Sequence, residues 1–397
     1  MEPRPGSNPF VLLLGSHGSG VVRASKDAAE RAGLEIQAAA DADGALECTE
    51  SLGRPPTGIL LDMTDTRAAT ALSLAVRSRM TDAVVPIVGL CEQVDDLGFE
   101  EAFSSGMDDC CGLAPARLAR RLRHLGETVP ANVERKDQVV VIADADRSSR
   151  LLMGRVFRDA GYQVHFALDA GDALRQALAE SVRVVVVSAV LDSEGDDGEP
   201  LSVRGPRGGS RAAWIINTPP KQIPLVRARL GLGSDLAGTP RVPGAAKIAV
   251  HDAFASPATL LFVANELLGR PLQDARKSER LLYGTSVRFR TAGRDNEDIG
   301  YSYNVSAGGL YVRSLALPER SEELWLEFVP PRSDRLVHLE GKAVWVRRYG
   351  PAGKATVPTG FGVEITGASA TDRSRFEEGY LRFLEDRTTP SVPPDVR

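Results

Sequence analysis

The sequence contains no run of about 18 apolar residues, the length a helix needs to cross a bilayer, so membrane insertion is not expected. Its opening residues, MEPRPGSNPF, lack the basic-then-apolar order of a secretory leader. Only four Cys occur (Cys48, Cys91, Cys110 and Cys111), and none has metal-ligand spacing. Thiols this scarce read as buried apolar groups in a reducing compartment. Adjacent Cys110 and Cys111 would face opposite ways if they lie in a strand. The five His form no cluster with Cys or carboxylates. The expectation is a cytoplasmic, non-catalytic protein with no cofactor and no metal. Excess positive charge is missing as well. The chain has 48 Lys and Arg against 53 Asp and Glu, a net of -5. Bulk nucleic-acid affinity rests on neutralising phosphates, and no basic stripe or helix-turn-helix is readable, so DNA is not expected as a partner. The deficit is uneven: residues 271–397 hold 19 Lys and Arg against 18 Asp and Glu, the remainder 29 against 35.

What is there suggests about two to four domains in 397 residues. Residues 8–128 alternate short apolar runs, such as FVLLLG, GILLDM and VVPIVGL, with amphipathic stretches. Residues 136–270 repeat the alternation with DQVVVIAD, YQVHFAL, VRVVVVS, AAWIINT and AKIAV. Strands alternating with helices predict parallel sheets covered on both faces. Gly, Pro and Asp clusters interrupt the second segment over 192–244, where irregular loops are expected. Residues 271–387 change character. Runs such as YGTSVRFR, GLYVRSL, LWLEFVP and VHLEGKAVWVRR are short, alternating and rich in Val and aromatics, which predicts an antiparallel sheet or small barrel. Phe376, Tyr380, Phe383 and Leu384 then form one helical stripe. Residues 388–397 read as a Pro-containing disordered tail.

Two stretches of the last segment carry chemistry. In RKSER, Arg276 and Arg280 are four apart and share one side of a helix or of an extended chain. Two guanidinium forks can then converge on a phosphate or on the O6/N7 edge of guanine. In NVSAGG, Asn304 and Ser306 offer donors and acceptors, while Gly308 and Gly309 permit positive φ and close backbone approach. A hairpin turn and a ligand grip both fit this second stretch. With residues 281–303 between them, the two stretches resemble the RxxxR and (D/N)xSxxG motifs of the PilZ family. Val344-Trp345-Val346 and Gly360–Ile365 look like that family's last two strands. The resemblance implies a six-stranded barrel that binds cyclic di-GMP. Arg276 and Arg280 would hold phosphate and guanine, and Asn304, Ser306, Gly308 and Gly309 would shape the other side.

The two preceding segments resemble the receiver domains of response regulators, a flavodoxin-like α/β fold. Receivers carry an acid pair after strand one, an acceptor Asp after strand three, a hydroxyl after strand four and a Lys after strand five. In the second segment Asp144 and Thr218 fit the first acid and the hydroxyl, but Ala145, Ser188 and Asp252 stand where the second acid, the acceptor and the Lys belong. In the first, Asp62 sits at the acceptor position, yet Gly15 and Ser16 replace the acids and Leu113 or Ala114 the Lys. His17 in GSHGSG reads as a loop residue. Receivers without phosphorylation chemistry keep their helical faces, and those faces imply protein-partner docking, with a homodimer as one form of it. The reading is a cyclic di-GMP effector with two pseudo-receiver segments. The alternatives are a phosphorylation-responsive regulator acting through Asp62 and a scaffold that binds neither.

Overall fold

The computed structural model describes residues 8–15, 18–80, 85–123, 125, 138–193, 199–232, 247–269, 278–293, 296–350 and 355–388. Two compact units form. One draws on the described residues of 1–130, 278–350 and 358–381, the other on those of 131–277, 351–357 and 382–397.

The first unit begins with β1 (Phe10–Leu14), α1 (Ser19–Ala32), β2 (Glu35–Ala39), α2 (Ala42–Leu52), β3 (Gly58–Asp62), α3 (Thr66–Arg79), β4 (Ile87–Cys91), α4 (Asp96–Ser104), β5 (Asp109–Gly112) and α5 (Pro115–Arg123). The strands pair in parallel in the order β2-β1-β3-β4-β5. This is the flavodoxin-like order. FVLLL and GILLD are apolar without alternation because helices cover both faces. Asp41, Asp65 and Asp95 start α2, α3 and α4 by accepting the N–H of Gly44, Ala68 and Gly98. Gly33 and Gly53, with φ of 72° and 66°, end α1 and α2 in left-handed caps. Cys110 and Cys111 lie in β5 and enter the cores on opposite faces of the sheet.

The second unit holds β6 (Val139–Ala143), α6 (Arg147–Asp159), β7 (Gln163–Ala167), α7 (Ala170–Ala177), β8 (Val182–Ser188), α8 (Ala189–Asp192), α9 (Leu201–Arg207), β9 (Ala213–Thr218), α10 (Ile223–Arg229), β10 (Ile248–Asp252) and α11 (Ala258–Leu268). Its parallel order, β10-β9-β8-β6-β7, repeats the first sheet. The expectation of irregular loops over 192–244 is corrected where that stretch is described, because α9 and α10 flank β9 there. Its Gly and Pro serve packing instead of breaking structure. Pro200 sits at the start of α9, and Gly205 lets that helix meet the buried Trp214, whose ring would lie 2.2 Å from an added Cβ. Residues 194–198 and 233–244 of the stretch lie outside the described residues, as does the expected tail beyond Thr388.

The first unit continues with β11 (Leu281–Leu282), β12 (Ser286–Thr291), β13 (Asp298–Ser306), β14 (Gly309–Arg313), β15 (Glu323–Phe328), β16 (Val337–Arg347), β17 (Gly360–Ala368) and α12 (Ala370–Thr388). The antiparallel order β13-β12-β15-β16-β17-β14 closes through pairing of β14 with β13, and β11 adds to the far end of β13. This is the expected six-stranded barrel with its C-terminal helix. Val287, Val305, Leu326, Leu339 and Phe361 fill the interior while intervening residues of β15 and β16 face out, with the period of two that a barrel wall requires. Phe376 of α12 meets Phe328 edge-on at 6.0 Å and stoppers the barrel.

Candidate functional site

The stretch Asn304–Val312 is a hairpin. Ser306 pairs with Gly309 across a two-residue turn, Ala307–Gly308. Ser306 Oγ donates to the Gly309 carbonyl at 3.2 Å. Of the two freedoms that glycine permits here, positive φ is not used at either position. Gly309 is demanded by packing instead, because an added Cβ would fall 2.0 Å from the Val363 carbonyl of β17. Gly308 is different. It is exposed, and an added Cβ there would meet nothing within 4 Å. No steric demand of the fold explains it, and its bare backbone leaves room for a close-lying ligand.

The lead-in is tied beside this turn. Leu281 pairs with Val305 and Leu282 with Asn304. Continuing that register by one residue sets Arg280 opposite Ser306. The Tyr380 hydroxyl of α12 donates to the carbonyl of Glu279 at 2.9 Å, fixing the chain one residue ahead of Arg280. The Tyr283 amide donates to the Tyr303 carbonyl at 3.2 Å on the other side. Arg280, Asn304, Ser306, Gly308 and Gly309 are thereby brought together. Arg276 lies outside the described residues.

A row of facing positions runs across five strands: Leu282, Asn304, Tyr311, Gly362 and Trp345. Directly paired residues share one side of a sheet. Val305, Leu310 and Val363, one step along, are buried in the barrel, so this row lies on the outer wall. Gly362 leaves a gap over which the Tyr311 and Trp345 rings meet, with centroids 5.7 Å apart. Trp345 is 42% exposed and Asn304 only 3%. The Tyr311 hydroxyl donates to the Pro358 carbonyl at 2.7 Å. Burial pushes its pKa up, and the nearby guanidinium groups of Arg347, Arg313 and Arg280 pull part of that rise back. The wall therefore offers a part-exposed indole beside the buried Tyr311 ring, an aromatic surface on which a flat base can stack. Sequence reasoning put Trp345 on a strand and Tyr380 on a helical stripe, and gave neither of them nor Tyr311 a role in the site. The readable sign for Tyr380 was a buried phenol, whose polar tip needs a partner.

The receiver-like positions serve local structure. Asp62 ends β3 and accepts the Thr64 N–H and hydroxyl at 2.9 and 2.6 Å. It borders a cleft of about 1060 Å³ at that edge of the first sheet. Gly15 follows β1 and Leu113 follows β5, while Ser16 and His17 lie outside the described residues. In the second sheet Asp144 accepts the Asp146 N–H, Ser188 caps α8, Thr218 donates to Gln222 and Asp252 accepts the Phe254 N–H. Among the described residues, no group of three or more His, Cys, Asp or Glu is placed to hold a metal ion, and no helix is long and apolar enough to cross a membrane.

The family model for the PilZ domain matches residues 274–382. A search of curated proteins found no match. Among solved structures the chain is similar to the Bacillus subtilis inhibitor of motility MotI/DgrA, with 20% identity, 30% of this chain covered and a TM-score of 0.25, and it spans 58% of that chain's length. It is also similar to the PilZ domain of YcgR from Escherichia coli, solved with c-di-GMP, with 14% identity, 29% of this chain and 97% of that one covered and a TM-score of 0.22. A probable two-component response regulator/GGDEF domain protein matches 66% of this chain over 100% of its own, at 20% identity and a TM-score of 0.29. Residues 274–382, carrying the closed barrel and its hairpin, are a PilZ domain, and two five-stranded parallel α/β sheets of flavodoxin-like order precede it.

Proposed function

We propose that the PilZ domain binds cyclic di-GMP and that the chain is a non-catalytic, cytoplasmic signalling effector. Arg276 and Arg280 hold phosphate and guanine edges, Asn304 and Ser306 supply hydrogen bonds, and Gly308 and Gly309 let the ligand approach the turn. The observation that carries the reading is the β11–β13 register, which sets Arg280 beside Ser306 without any rearrangement of the barrel. YcgR's PilZ domain, solved with c-di-GMP, lends it support. The lead-in that bears Arg276 directly follows α11 in sequence. Capture of the nucleotide there is proposed to reach a protein partner, or a second copy, docked on a receiver-like segment.

Calorimetric titration with cyclic di-GMP tests this. The wild-type chain is expected to bind in the micromolar range, about -8 kcal/mol. Arg280→Ala removes a charge-assisted contact of roughly 1.5–3 kcal/mol and should weaken binding by about 10-fold or more. Gly308→Ala should leave the melting temperature unchanged while weakening binding, because its Cβ enters only the space the ligand would fill. Flat heats for the wild-type chain would reject the reading.

A further inference from the structure

One face of the first sheet, made by α4, β5 and α5, plays no part in the nucleotide site. It is charged, and yet it is buried. Asp109 of β5 is fully buried and accepts four donors: Arg121 Nε at 2.8 Å, the Cys110 N–H at 2.9 Å, the Leu315 N–H at 2.8 Å and the Ser314 hydroxyl at 3.4 Å. Arg121 of α5, 1% exposed, also reaches Asp298 at 3.2 Å and the Ile299 carbonyl at 2.6 Å. Desolvation pushes Asp109 up, and the guanidinium beside it pulls it back. Ions this deep persist only when each is paired, and half the partners here come from the barrel. Tyr301 of β13 completes the contact. Its hydroxyl donates to Glu100 at 2.9 Å, and its ring lies 5.3 Å from Phe99 and 5.8 Å from Phe103, inside the core of the first sheet.

The barrel residues involved are not scattered. Asp298, Ile299 and Tyr301 open β13, the strand that closes with Asn304 and Ser306. Ser314 and Leu315 follow the end of β14, the strand that opens with Gly309. Both strands of the hairpin therefore run from this face to the candidate nucleotide turn. At about 3.3 Å per residue, Tyr301 and Ser306 are roughly 17 Å apart along β13. A register shift between Ser302 and Asn304 separates the two ends, and bulges of this kind bend and twist a strand.

We propose that the α4–β5–α5 face is a dedicated docking surface for the barrel and that, by holding the base of the β13–β14 hairpin, it pre-organises the nucleotide turn at the tip. The second half of this rests on the cyclic di-GMP reading. A turn held in its binding geometry loses less freedom on capture, so loosening the base weakens binding at the tip. By linkage, nucleotide at the tip also tightens the face.

The test uses the full chain with two variants outside the nucleotide site, Arg121→Met and Tyr301→Phe. The second removes only the hydroxyl that Glu100 accepts and keeps the ring, so it decides if the first fails to fold. Cyclic di-GMP dissociation constants are measured by calorimetry. Hydrogen exchange is followed over 96–104, 115–123 and 298–316. The expected result is a dissociation constant raised threefold or more in the folded variants, with slower exchange across α4 and α5 of the wild-type chain when nucleotide is added. A smaller rise, or exchange on α4 and α5 that ignores nucleotide, overturns the coupling. If the wild-type chain binds no cyclic di-GMP, the ligand reading fails by itself, and the docking surface is judged on exchange alone. Faster exchange at 298–301 and 313–316 in either folded variant upholds it, and unchanged exchange there overturns it.

Discussion

The two parallel sheets share a strand order and differ in what their last helix meets. In the second unit, α11 buries Ala258, Leu260, Leu261, Val263, Ala264 and Leu267 against its own sheet. In the first, α5 reads PARLARRLR, and one of its buried residues is Arg121. One helix closes its sheet with hydrocarbon. The other closes it partly with ions whose partners sit on the barrel. The same topology thus closes with hydrocarbon in one case, Ala355 adding to that core, and with charge shared with the barrel in the other. What separates them is the chemistry of one helix face and of the strand beside it, DCCG against IAVHD.

The sharpest way to break this contrast is to remove the ion. Arg121→Met leaves Asp109 buried without its guanidinium and should lower the stability of the first unit by about 3–5 kcal/mol. The corresponding cut in the second unit is Arg229→Met, which strips Asp192 of its partner at 2.8 Å. Arg229 is 34% exposed and Asp192 keeps the Ser202 N–H, so a loss of roughly 1–3 kcal/mol is expected there. Urea unfolding reads both. Trp214 reports the second unit, and Trp325 and Trp345 report the first. Equal losses would erase the distinction between the sheets.

Much of this architecture was legible because burial on two faces leaves apolar runs. FVLLL, VVVIA and VRVVVVS announce their strands. The elements missed were α2, α4 and β5 in the first sheet and α8, α9 and α10 in the second, which are short and carry acids, Gly, Pro or small residues in place of a clear apolar stripe. Arg280, Asn304, Ser306, Gly308 and Gly309 stood out as motif residues. Their geometry was not legible, since it depends on which residue of β11 pairs with which of β13. The row linking Asn304, Tyr311 and Trp345 has the same origin: those positions are distant in sequence, and register alone aligns them. The docking face was the least legible. Arginines on a short helix look solvated until a partner surface is known, and that partner lies almost two hundred residues away.

A second contrast is in acid. His251 of β10 is buried, with Nδ1 2.9 Å from Asn217 Oδ1 and Nε2 2.6 Å from Thr259 Oγ1. Burial pulls its pKa down to about 4, against about 6.5 in an unfolded chain. The folded state therefore binds fewer protons between those values, and stability is lost as pH falls from 6.5 toward 4. The slope approaches about 1.4 kcal/mol per pH unit, for a total of roughly 3 kcal/mol. Urea midpoints of the Trp214 transition between pH 7 and pH 4.5 should show this decline, and His251→Gln should flatten it. A decline of the same size in His251→Gln would assign the acid sensitivity to other groups.

The smallest expected effect concerns the third strands, where Asp62 and Ser188 occupy equivalent places. Asp62 is the one feature by which the first sheet could still act as a receiver and not merely as a docking body. Its Oδ1 accepts two bonds from Thr64, and an Asn at that position keeps the same acceptor. Asp62→Asn should therefore change stability by no more than about 0.5 kcal/mol. Transfer of a phosphoryl group to a carboxylate needs charge stabilisation at the acceptor. Gly15 after β1 and Leu113 after β5 supply neither the acid nor the amine that receivers place there. Incubation with acetyl phosphate and Mg²⁺ is thus expected to add no phosphoryl mass to the wild-type chain. An adduct that vanished in Asp62→Asn would make the first sheet a working receiver, and the α4–β5–α5 face would then carry a phosphorylation signal into the barrel instead of only bracing it.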